Sequence, residues 1–389
     1  MNQRRKILSV GITALLMATA CATSSNPPGG GDEEEAEPEL GISDEDYSID
    51  ALVDAAQDED GIVVVDSTGK IVEIAEEFSE EYGLDATGVS LSANEQTEVA
   101  VREGQSGNIN HDVFLMPDTP TAVTELLPQE VVVSWFPPDL VDNVDSEFQD
   151  PAIVTQETFV WAYNTDVYGD ECPVSNFWEL TDEEWSGLVA YQDPLMTTRQ
   201  PYSFNQKEYQ GDDLLAGAYL DYYGEELGAD AESATAEWVE GLAQNDVLLT
   251  NSNGDISDAI GAPGQDDPFI GFLSTAKFRD NIDLNYNLGI CEGLFPWVGW
   301  AYTKTALIAS DTESPNTAKL FVRYMYSEEG IEEQAIDGKI STNTEVPFPE
   351  DDPSRLEEVW DDILIFESAQ AQVDYDRIQY WQDLWRSAR

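Results

Sequence analysis

Apolar and polar residues alternate in blocks along most of the chain, and the clearest block runs from Gly61 to Gly83. Ile62 to Val65 is a short β-branched run typical of a buried strand. After a polar turn, apolar residues follow at i, i+3, i+4 and i+7 from Ile71, which predicts an amphipathic helix with Gly83 as its C-cap. Free N–H groups beyond the strand would suit a ligand, whereas an ordinary connection with a Ser or Thr N-cap explains the same residues.

Further blocks of the same kind follow in order. Short apolar runs predict strands at 88–91, 112–116, 158–164, 247–249 and 269–274. Longer periodic stretches predict helices at 94–103, 212–227, 234–245, 315–326 and from about 354 to the C-terminus, the last with a possible break. Strands that alternate with helices predict an α/β fold with a parallel, doubly wound sheet. A Trp-rich segment after 158–164 marks the expected passage into a second lobe.

The first 46 residues have a different character. Residues 1–21 have three basic residues followed by an apolar run too short to span a membrane, which predicts an export signal. The run ends in small residues before Cys21 and resembles a lipobox, although Leu is usual where Ala18 stands, so we expect lipidation of Cys21. Ordinary cleavage beside a fortuitous cysteine is the alternative. Residues 22–46 are rich in Pro, Gly and Glu and predict a disordered acidic tether.

Composition limits the possible partners. The chain has 79 acidic and 17 basic residues, a net charge of −62. Such a field repels nucleic acids and anionic membrane surfaces, so we expect contact with a membrane only through the lipid anchor. A surface this acidic suggests a saline habitat, where salt screens the repulsion. Cys172 and Cys291 could form a disulfide or stay as free thiols; no cysteine spacing predicts a metal site.

Several segments together resemble one known family. They are 63–83, 111–116 (HDVFLM), 159–194 (with YNT and a P…W.LTD..W.G…DP frame), 248–260 (LLTNSNGDISDAI) and 316–330 (NTAKLFVRYMYSEEG). In this order they resemble the extracellular solute-binding proteins of ABC importers, of the ferric-binding type. The resemblance implies a type II periplasmic-binding fold, in which two doubly wound α/β lobes close by a hinge on a solute in the cleft. We expect lobe 1 at 47–157 plus 294–335 and lobe 2 at 158–293 plus 336–389.

The resemblance also implies ligand-binding residues at the ends of strands. Ser67, Thr68 and Gly69 occupy the turn that meets the ligand in lobe 1, and Asn253 occupies the facing turn in lobe 2. Ser274 and Thr275 stand where iron-binding relatives have two tyrosines. Hydroxyls that do not ionise are poor ligands for ferric iron, so we expect no metal and no cofactor.

Two further positions bear on the nature of the solute. Many relatives have an Arg just before the YNT strand, where this chain has Glu157, and that difference weakens the case for a phosphate or carboxylate. Trp297, with Glu292 nearby, would suit a cationic or ring-bearing solute through stacking or cation–π contact. Packing between the lobes is the alternative role of both Trp297 and Trp300, and it is favoured more for Trp300 than for Trp297.

The expected function is that of a lipid-anchored, monomeric substrate-binding protein outside the cytoplasmic membrane. It would capture a small solute by cleft closure and deliver it to an ABC permease. Alternatives are a lipoprotein that presents its solute to a sensor, a ferric-iron receptor, and a secreted hydrolase that uses carboxylates. An enzyme is not expected, because the chain has one histidine, His111, and no GxSxG, HExxH, GxGxxG or P-loop pattern.

Overall fold

The computed structural model describes residues 40–265 and 269–389. The predicted export signal, Cys21 and most of the predicted tether lie outside the described residues. The strands are β1 (Ile62–Asp66), β2 (Ala86–Ser90), β3 (Val113–Met116), β4 (Val132–Val133), β5 (Ile153–Asn164), β6 (Val189–Gln192), β7 (Leu248–Thr250), β8 (Ile270–Ser274), β9 (Leu288–Ile290), β10 (Gly299–Ala309), β11 (Lys339–Ser341) and β12 (Ile363–Ile365).

Helices flank these strands. They are α1 (Ile49–Ala56), α2 (Ile71–Tyr82), α3 (Ala93–Ser106), α4 (Thr119–Thr121), α5 (Thr165–Tyr168), α6 (Arg199–Tyr223), α7 (Ala234–Gln244), α8 (Asn253–Gly261), α9 (Asp280–Asp283), α10 (Pro315–Tyr324), α11 (Glu328–Ala335) and α12 (Ala371–Ala388). Between residues 40 and 389, outside the gap at 266–268, none of these helices is long and apolar enough to cross a membrane.

One mixed sheet organises the fold, with the order β2-β1-β3-β10-β5-β8-β6-β7 along its main path. β1 pairs in parallel with β2 and β3, and β6 pairs in parallel with β7 and β8. We call the first group with α1–α3, α10 and α11 lobe 1, and the second group with α6–α8 and α12 lobe 2. The long strands β5 and β10 pair antiparallel between the two groups and belong to both. The predicted α/β class with two doubly wound lobes is therefore confirmed, whereas the residue boundaries of the lobes stay predictions.

The first sequence block folds as its pattern predicts. β1 and α2 coincide with the predicted strand and helix, and Ile71, Ile74 and Phe78 are fully buried on one face of α2. Gly83 ends the helix in the left-handed conformation, with φ of 67°. The sequence alone allowed a Ser or Thr N-cap for α2, but the structure shows a different start. The N-cap residue is Lys70, and no side chain forms a capping hydrogen bond with the helix.

Two other parts of the chain differ from the sequence prediction. The predicted long helix from about 354 is instead a 3-10 helix (Leu356–Asp362), strand β12 and then α12. Strand β10 was not predicted at all, although all eleven of its residues are buried. Thr303, Lys304 and Thr305 are polar, so the sequence of β10 shows neither a continuous apolar run nor the alternation of a half-buried strand, which explains the omission.

The prediction of a disordered tether is wrong for residues 40–46, because these residues lie against lobe 1. Leu40 and Ile42 pack beside the apolar core around α1, α2 and α10. The backbone N–H of Ile42 donates to Asn316 Oδ1 at 2.7 Å, and its carbonyl accepts from Lys319 Nζ at 2.8 Å. The side chains of Leu40 and Ile42 and these two hydrogen bonds hold the segment against lobe 1.

A disulfide joins Cys172 to Cys291, which are 119 residues apart in the sequence. It connects the segment after α5 to the turn after β9 in lobe 2. The structure thus selects one of the two possibilities that the sequence left open for these cysteines. A disulfide is typical of a protein outside the cytoplasm.

One lysine of α6, Lys207, lies in the core of lobe 2, and no carboxylate of the described residues forms an ion pair with it. Lys207 Nζ is 3.4 Å from the carbonyl oxygen of Ser203, and the rings of Phe272 and Trp300 have their centroids at 5.7 and 6.0 Å. Burial lowers the pKa of Lys207 to about 7. The charged form is therefore costly in the folded protein.

We expect Lys207→Met to stabilise the protein at neutral pH. Between pH 7 and the ordinary lysine pKa of 10.5 the unfolded chain binds a proton that the folded chain lacks, so the stability of the parent rises with pH. The melting temperature of the variant should exceed that of the parent by about 2 °C or more at pH 7, and the difference should shrink toward pH 10.

Calorimetry at pH 7, 8.5 and 10 measures this difference. Lys277→Met is a matched control, because the Lys277 side chain is 25% exposed and pairs with Asp280. Its melting temperature should follow the pH dependence of the parent. A constant difference between Lys207→Met and the parent across this pH range would show that the buried ammonium is not the cause.

Candidate functional site

The carboxyl ends of the parallel strands meet between the lobes. The turns after β2 and β3 in lobe 1 face the turn after β6 and the start of α6 in lobe 2, and strand β10 lies between them. They enclose a cavity of about 270 Å³. It is lined by Ser92, Ala93, Asn94, Pro117, Asp118, Met196, Thr197, Thr198, Arg199 and Tyr302. Open α/β sheets bind their ligands at this edge, so the cavity is the candidate site.

Arg199, the first residue of α6, is the cation in the cavity lining. Its guanidinium lies over the rings of Phe159, 4.5 Å from the centroid, and Tyr302, 5.4 Å from the centroid. Among residues 40–265 and 269–389, no carboxylate forms an ion pair with it, and its buried Nε has no hydrogen-bond partner. The aromatic rings thus hold a charged group in place while its hydrogen-bonding capacity stays unused.

Asp118 connects the two lobes beside this arginine. It follows β3 in lobe 1, and its carboxylate accepts from Thr198 Oγ1 at 3.3 Å and from Tyr202 OH at 3.2 Å, both in lobe 2. It also accepts from the backbone N–H of Thr121 at 3.0 Å. Burial raises the pKa of Asp118, although these hydrogen bonds oppose the rise. The carboxyl group is therefore shifted toward its protonated form.

Glu157 of β5 lies at the floor of the cleft among basic residues. Burial alone would raise its pKa, but the charges of Arg199, Lys339 and Lys304 outweigh burial and leave the pKa of Glu157 below its ordinary value. The Ser274 hydroxyl contributes to the same lowering. The antiparallel pairing of β5 with β10 and β11 explains why Glu157 lies among these residues, because it places Glu157 directly opposite Tyr302 on one side and Lys339 on the other.

A buried network continues from this floor to the end of β1. Lys304 Nζ donates to both oxygens of Asp66, at 2.6 and 2.7 Å, and to Gln334 Oε1 at 3.0 Å. Lys339 Nζ donates to the same Gln334 oxygen at 3.0 Å, and Gln334 Nε2 donates to Asp66 at 2.9 Å. Burial outweighs the pairing with Asp66 and lowers the pKa of Lys304. Arg199, Lys304 and Lys339 against Asp66 and Glu157 leave one positive charge, which Asp118 of the cavity lining balances when it is ionised.

The predicted lobe 1 turn lies at the end of this network. Ser67 is exposed, and its N–H and hydroxyl both donate to Asp66 Oδ1, at 2.5 and 3.2 Å. Thr68 Oγ1 accepts from the N–H of Lys70 at 3.3 Å. Gly69 is exposed, with open space where a side chain would be. These three residues do not line the 270 Å³ cavity, and their binding role stays a prediction.

The predicted lobe 2 residues lie together at the end of β8. Asn253 Oδ1 accepts from the N–H of Ser274 at 3.4 Å, and Ser274 Oγ accepts from the N–H of Ala276 at 3.3 Å. Thr275 Oγ1 is buried and lies 3.2 Å from the carbonyl oxygens of Thr158 and Gly338. Nor do Asn253, Ser274 and Thr275 line the cavity. In the described residues no group of three or more His, Cys, Asp or Glu side chains could hold a metal ion.

Trp297 lies in the core of lobe 2, 6% exposed. Its ring contacts Phe177 edge-on at 5.9 Å, and a Cβ added at Gly211 would be 2.3 Å from it. Gly211 is twelve residues along α6 from Arg199, about 18 Å at the helical rise. Both neighbours belong to lobe 2, so these contacts are packing within that lobe and not the packing between the lobes that was the alternative, and stacking of Trp297 on a solute stays a prediction.

Sequence reasoning missed the residues that line the cavity. The turn DPLMTTRQP at 193–201 has a Thr-Thr-Arg sequence where a helix begins, the kind of signal that identified the turn at 66–70. It was not singled out because strand β6 is only four residues long. The pairing of Lys304 with Asp66 depends on β10, which the pattern did not predict.

No protein-family model matches the chain, and no curated protein is similar to it in sequence. Solved structures are similar in fold. Iron-bound HitA from Pseudomonas aeruginosa is 14% identical, with a TM-score of 0.58, over 85% of this chain and 99% of HitA. The substrate-binding protein of an ABC transporter from Agrobacterium tumefaciens is 12% identical, with a TM-score of 0.63, over 87% of this chain and 96% of its own.

A third structure is the periplasmic binding protein AfuA from Actinobacillus pleuropneumoniae with fructose-6-phosphate bound. It is 17% identical, with a TM-score of 0.53, over 85% of this chain and 96% of AfuA. At these identities the likeness establishes a shared fold. The chain has the fold of ABC-transporter solute-binding proteins, the one that the sequence resemblance implied.

We expect Asp66→Asn to destabilise the protein strongly. The change leaves the ammonium of Lys304 buried without its anion, which typically costs about 3–5 kcal/mol. The double variant Asp66→Asn/Lys304→Met removes both charges and should recover part of this loss. Urea unfolding measures the free energies.

Glu73→Gln, at an exposed position of α2, is the matched control and should unfold like the parent. If Asp66→Asn were within about 1 kcal/mol of the parent, the pair would not be the structural element that we describe.

Proposed function

We propose that this protein is the solute-binding component of an ABC importer and that it captures a small acidic solute between its lobes. The fold shared with solute-binding proteins supports the general role. The observation on which the solute class depends is Arg199, which lines the cavity and forms no ion pair in the described chain, although its charge acts on the neighbouring Glu157.

A carboxylate or phosphate on the solute would complete the surroundings of Arg199. Guanidinium groups bind such anions through two parallel hydrogen bonds, and Arg199 lines the cavity. When Asp118 is protonated, a solute anion would also neutralise the remaining positive charge at the cleft floor. The cavity of about 270 Å³ is below the range of about 300–1,000 Å³ for drug-sized ligands, which favours a small solute.

The start of helix α6 also bears on the charge of the solute. Helix α6 begins without a side-chain cap and without an acidic residue in its own first turn, and Asp118 of lobe 1, which accepts from Thr198 and Tyr202, is the carboxylate at its N-terminus. An anionic solute would share this helix end with Asp118, and because burial raises the pKa of Asp118, this carboxyl group ionises less readily than an exposed aspartate.

This proposal revises one inference from the sequence. Glu157 stands near the position where many relatives have an arginine, and its presence weighed against a phosphate or carboxylate. Arg199 comes from a different element and lies beside Glu157, so the cleft has an arginine after all. The pattern could not indicate this, since the two residues are 42 positions apart and meet only through the tertiary fold.

Binding would close the lobes because the cavity lining is shared. Ser92 and Asn94 belong to lobe 1, whereas Thr198 and Arg199 belong to lobe 2. A solute that contacts both sides stabilises the closed form over the open form by the contacts that only closure provides. Lipidation of Cys21 would keep the protein at the outer face of the membrane, beside the permease that accepts the solute.

We expect Arg199→Gln to weaken binding of an acidic solute about tenfold or more, because a charge-assisted hydrogen-bonding partner is lost. A thermal-shift screen of small carboxylates, inorganic phosphate and phosphate esters would identify a solute, and calorimetric titration would then compare the variants.

Arg102→Gln is the control, because Arg102 is an exposed arginine of α3 that does not line the cavity. It should bind like the parent. The proposal is wrong if only neutral or cationic solutes stabilise the protein, or if Arg199→Gln binds the best acid as tightly as the parent.

A further inference from the structure

Two side chains of opposite charge line the cavity between the lobes. Asp118 belongs to lobe 1 and follows the end of β3, whereas Arg199 belongs to lobe 2 and is the first residue of α6. Neither side chain takes part in an ion pair of the described residues. The two charges therefore share one cavity without forming a salt bridge with each other.

The described donors to Asp118 are all uncharged. Its Oδ1 accepts from the N–H of Thr121 at 3.0 Å and from Tyr202 OH at 3.2 Å, and its Oδ2 accepts from Thr198 Oγ1 at 3.3 Å. A carboxylate has about four positions at which it accepts hydrogen bonds, so these three donors leave room for one more at Oδ2. Burial raises the pKa of Asp118, and a cation beside it would lower that pKa again.

Two stacked tyrosines connect Asp118 to Arg199. The ring of Tyr202, whose hydroxyl donates to Asp118, stacks on the ring of Tyr302 with centroids 6.4 Å apart and planes at 22°. The guanidinium of Arg199 lies 5.4 Å from the centroid of Tyr302. Burial raises the pKa of Tyr302 most, the charge of Asp118 adds to the rise, and the charge of Arg199 opposes it. Both charges thus act on one ring of the cavity lining.

We propose that the acidic solute also carries an ammonium group and that Asp118 selects it. The carboxylate or phosphate of the solute binds Arg199, and its ammonium lies beside Asp118 at the lobe 1 side of the same cavity. This inference rests on the proposed function, because it concerns the same cavity and the same solute. Asp118 is then the residue that separates amine-bearing acids from plain acids.

The two kinds of acid differ in their effect on Asp118. An anion that binds Arg199 without an accompanying cation is repelled by an ionised Asp118 or requires it to be protonated. An ammonium on the same molecule supplies the opposite charge, so Asp118 can stay ionised in the closed cleft. Because Asp118 and Arg199 belong to different lobes, a solute with both groups gains both contacts only when the lobes are closed.

Matched acids test this inference on the full-length protein. Aspartate and phosphoethanolamine carry an ammonium, and succinate and ethyl phosphate are the corresponding acids without it. Calorimetric titration at pH 7.5 and one fixed ionic strength measures the affinities. At least one amine-bearing acid should bind about tenfold or more tightly than its partner, because it gains a charge-assisted contact. Malate, with a hydroxyl in place of the amine of aspartate, should bind like succinate.

Asp118→Asn separates recognition of the ammonium from a structural role. The amide oxygen can still accept from the N–H of Thr121, so the cap of α4 is kept while the charge is lost. The variant should bind the amine-bearing acid about tenfold more weakly than the parent does. It should bind the amine-free partner as tightly as the parent or more tightly, because a like charge has been removed. A purely structural role of Asp118 would weaken both acids alike.

Two further variants complete the experiment. Glu98→Gln changes an exposed carboxylate of α3 that does not line the cavity and should bind every acid like the parent. Arg199→Gln should weaken both members of each pair. If the plain acids bind as tightly as the amine-bearing ones, or if Asp118→Asn weakens both members of a pair alike, this inference is wrong and the proposed function stands. If none of these acids binds, or if Arg199→Gln binds them all like the parent, both are wrong.

Discussion

The antiparallel pairing of β5 with β10 is the constraint on which the rest of the structure depends. The two strands run side by side from Gly299 opposite Val160 to Thr305 opposite Ile153 and join the parallel strands of one lobe to those of the other. Strand β10 is buried throughout, yet it contains Lys304. A buried ammonium needs an anion, so the end of β1 must supply Asp66. The pairing of β5 with β10 therefore determines both how the lobes are joined and where the charges of the cleft floor lie.

Charge is distributed unevenly around strand β5. A chain with a net charge of −62 has few basic residues, yet three of them surround Glu157 between the lobes. On the opposite face of the same strand, a second cavity of about 440 Å³ has a charged lining that is acidic. Neighbouring residues of one strand thus face environments of opposite sign. Tyr302 of β10 lines the cavity between the lobes and Gln156 of β5 lines the other cavity, so each cavity borders one of the two strands that join the lobes.

The sequence was sufficient for the elements whose pattern is local. The stripe of Ile71, Ile74 and Phe78 located α2, and Gly83 located its end. It was insufficient where polar residues interrupt a buried strand, as in β10, and where residues meet only through the tertiary fold. Arg199 reaches Glu157 from 42 residues away, and no spacing rule indicates that encounter. Trp297 is the opposite case. Its residue type suggested contact with the ligand, whereas its contacts in the structure are those of a core residue.

Small-angle scattering of the protein with and without its best-binding acid tests the central claim, that the lobes close on an anion held by Arg199. Saturating acid should reduce the radius of gyration of the parent and leave that of Arg199→Gln unchanged at the same acid concentration. Profiles of the parent that stay identical with and without a bound acid would contradict capture by closure.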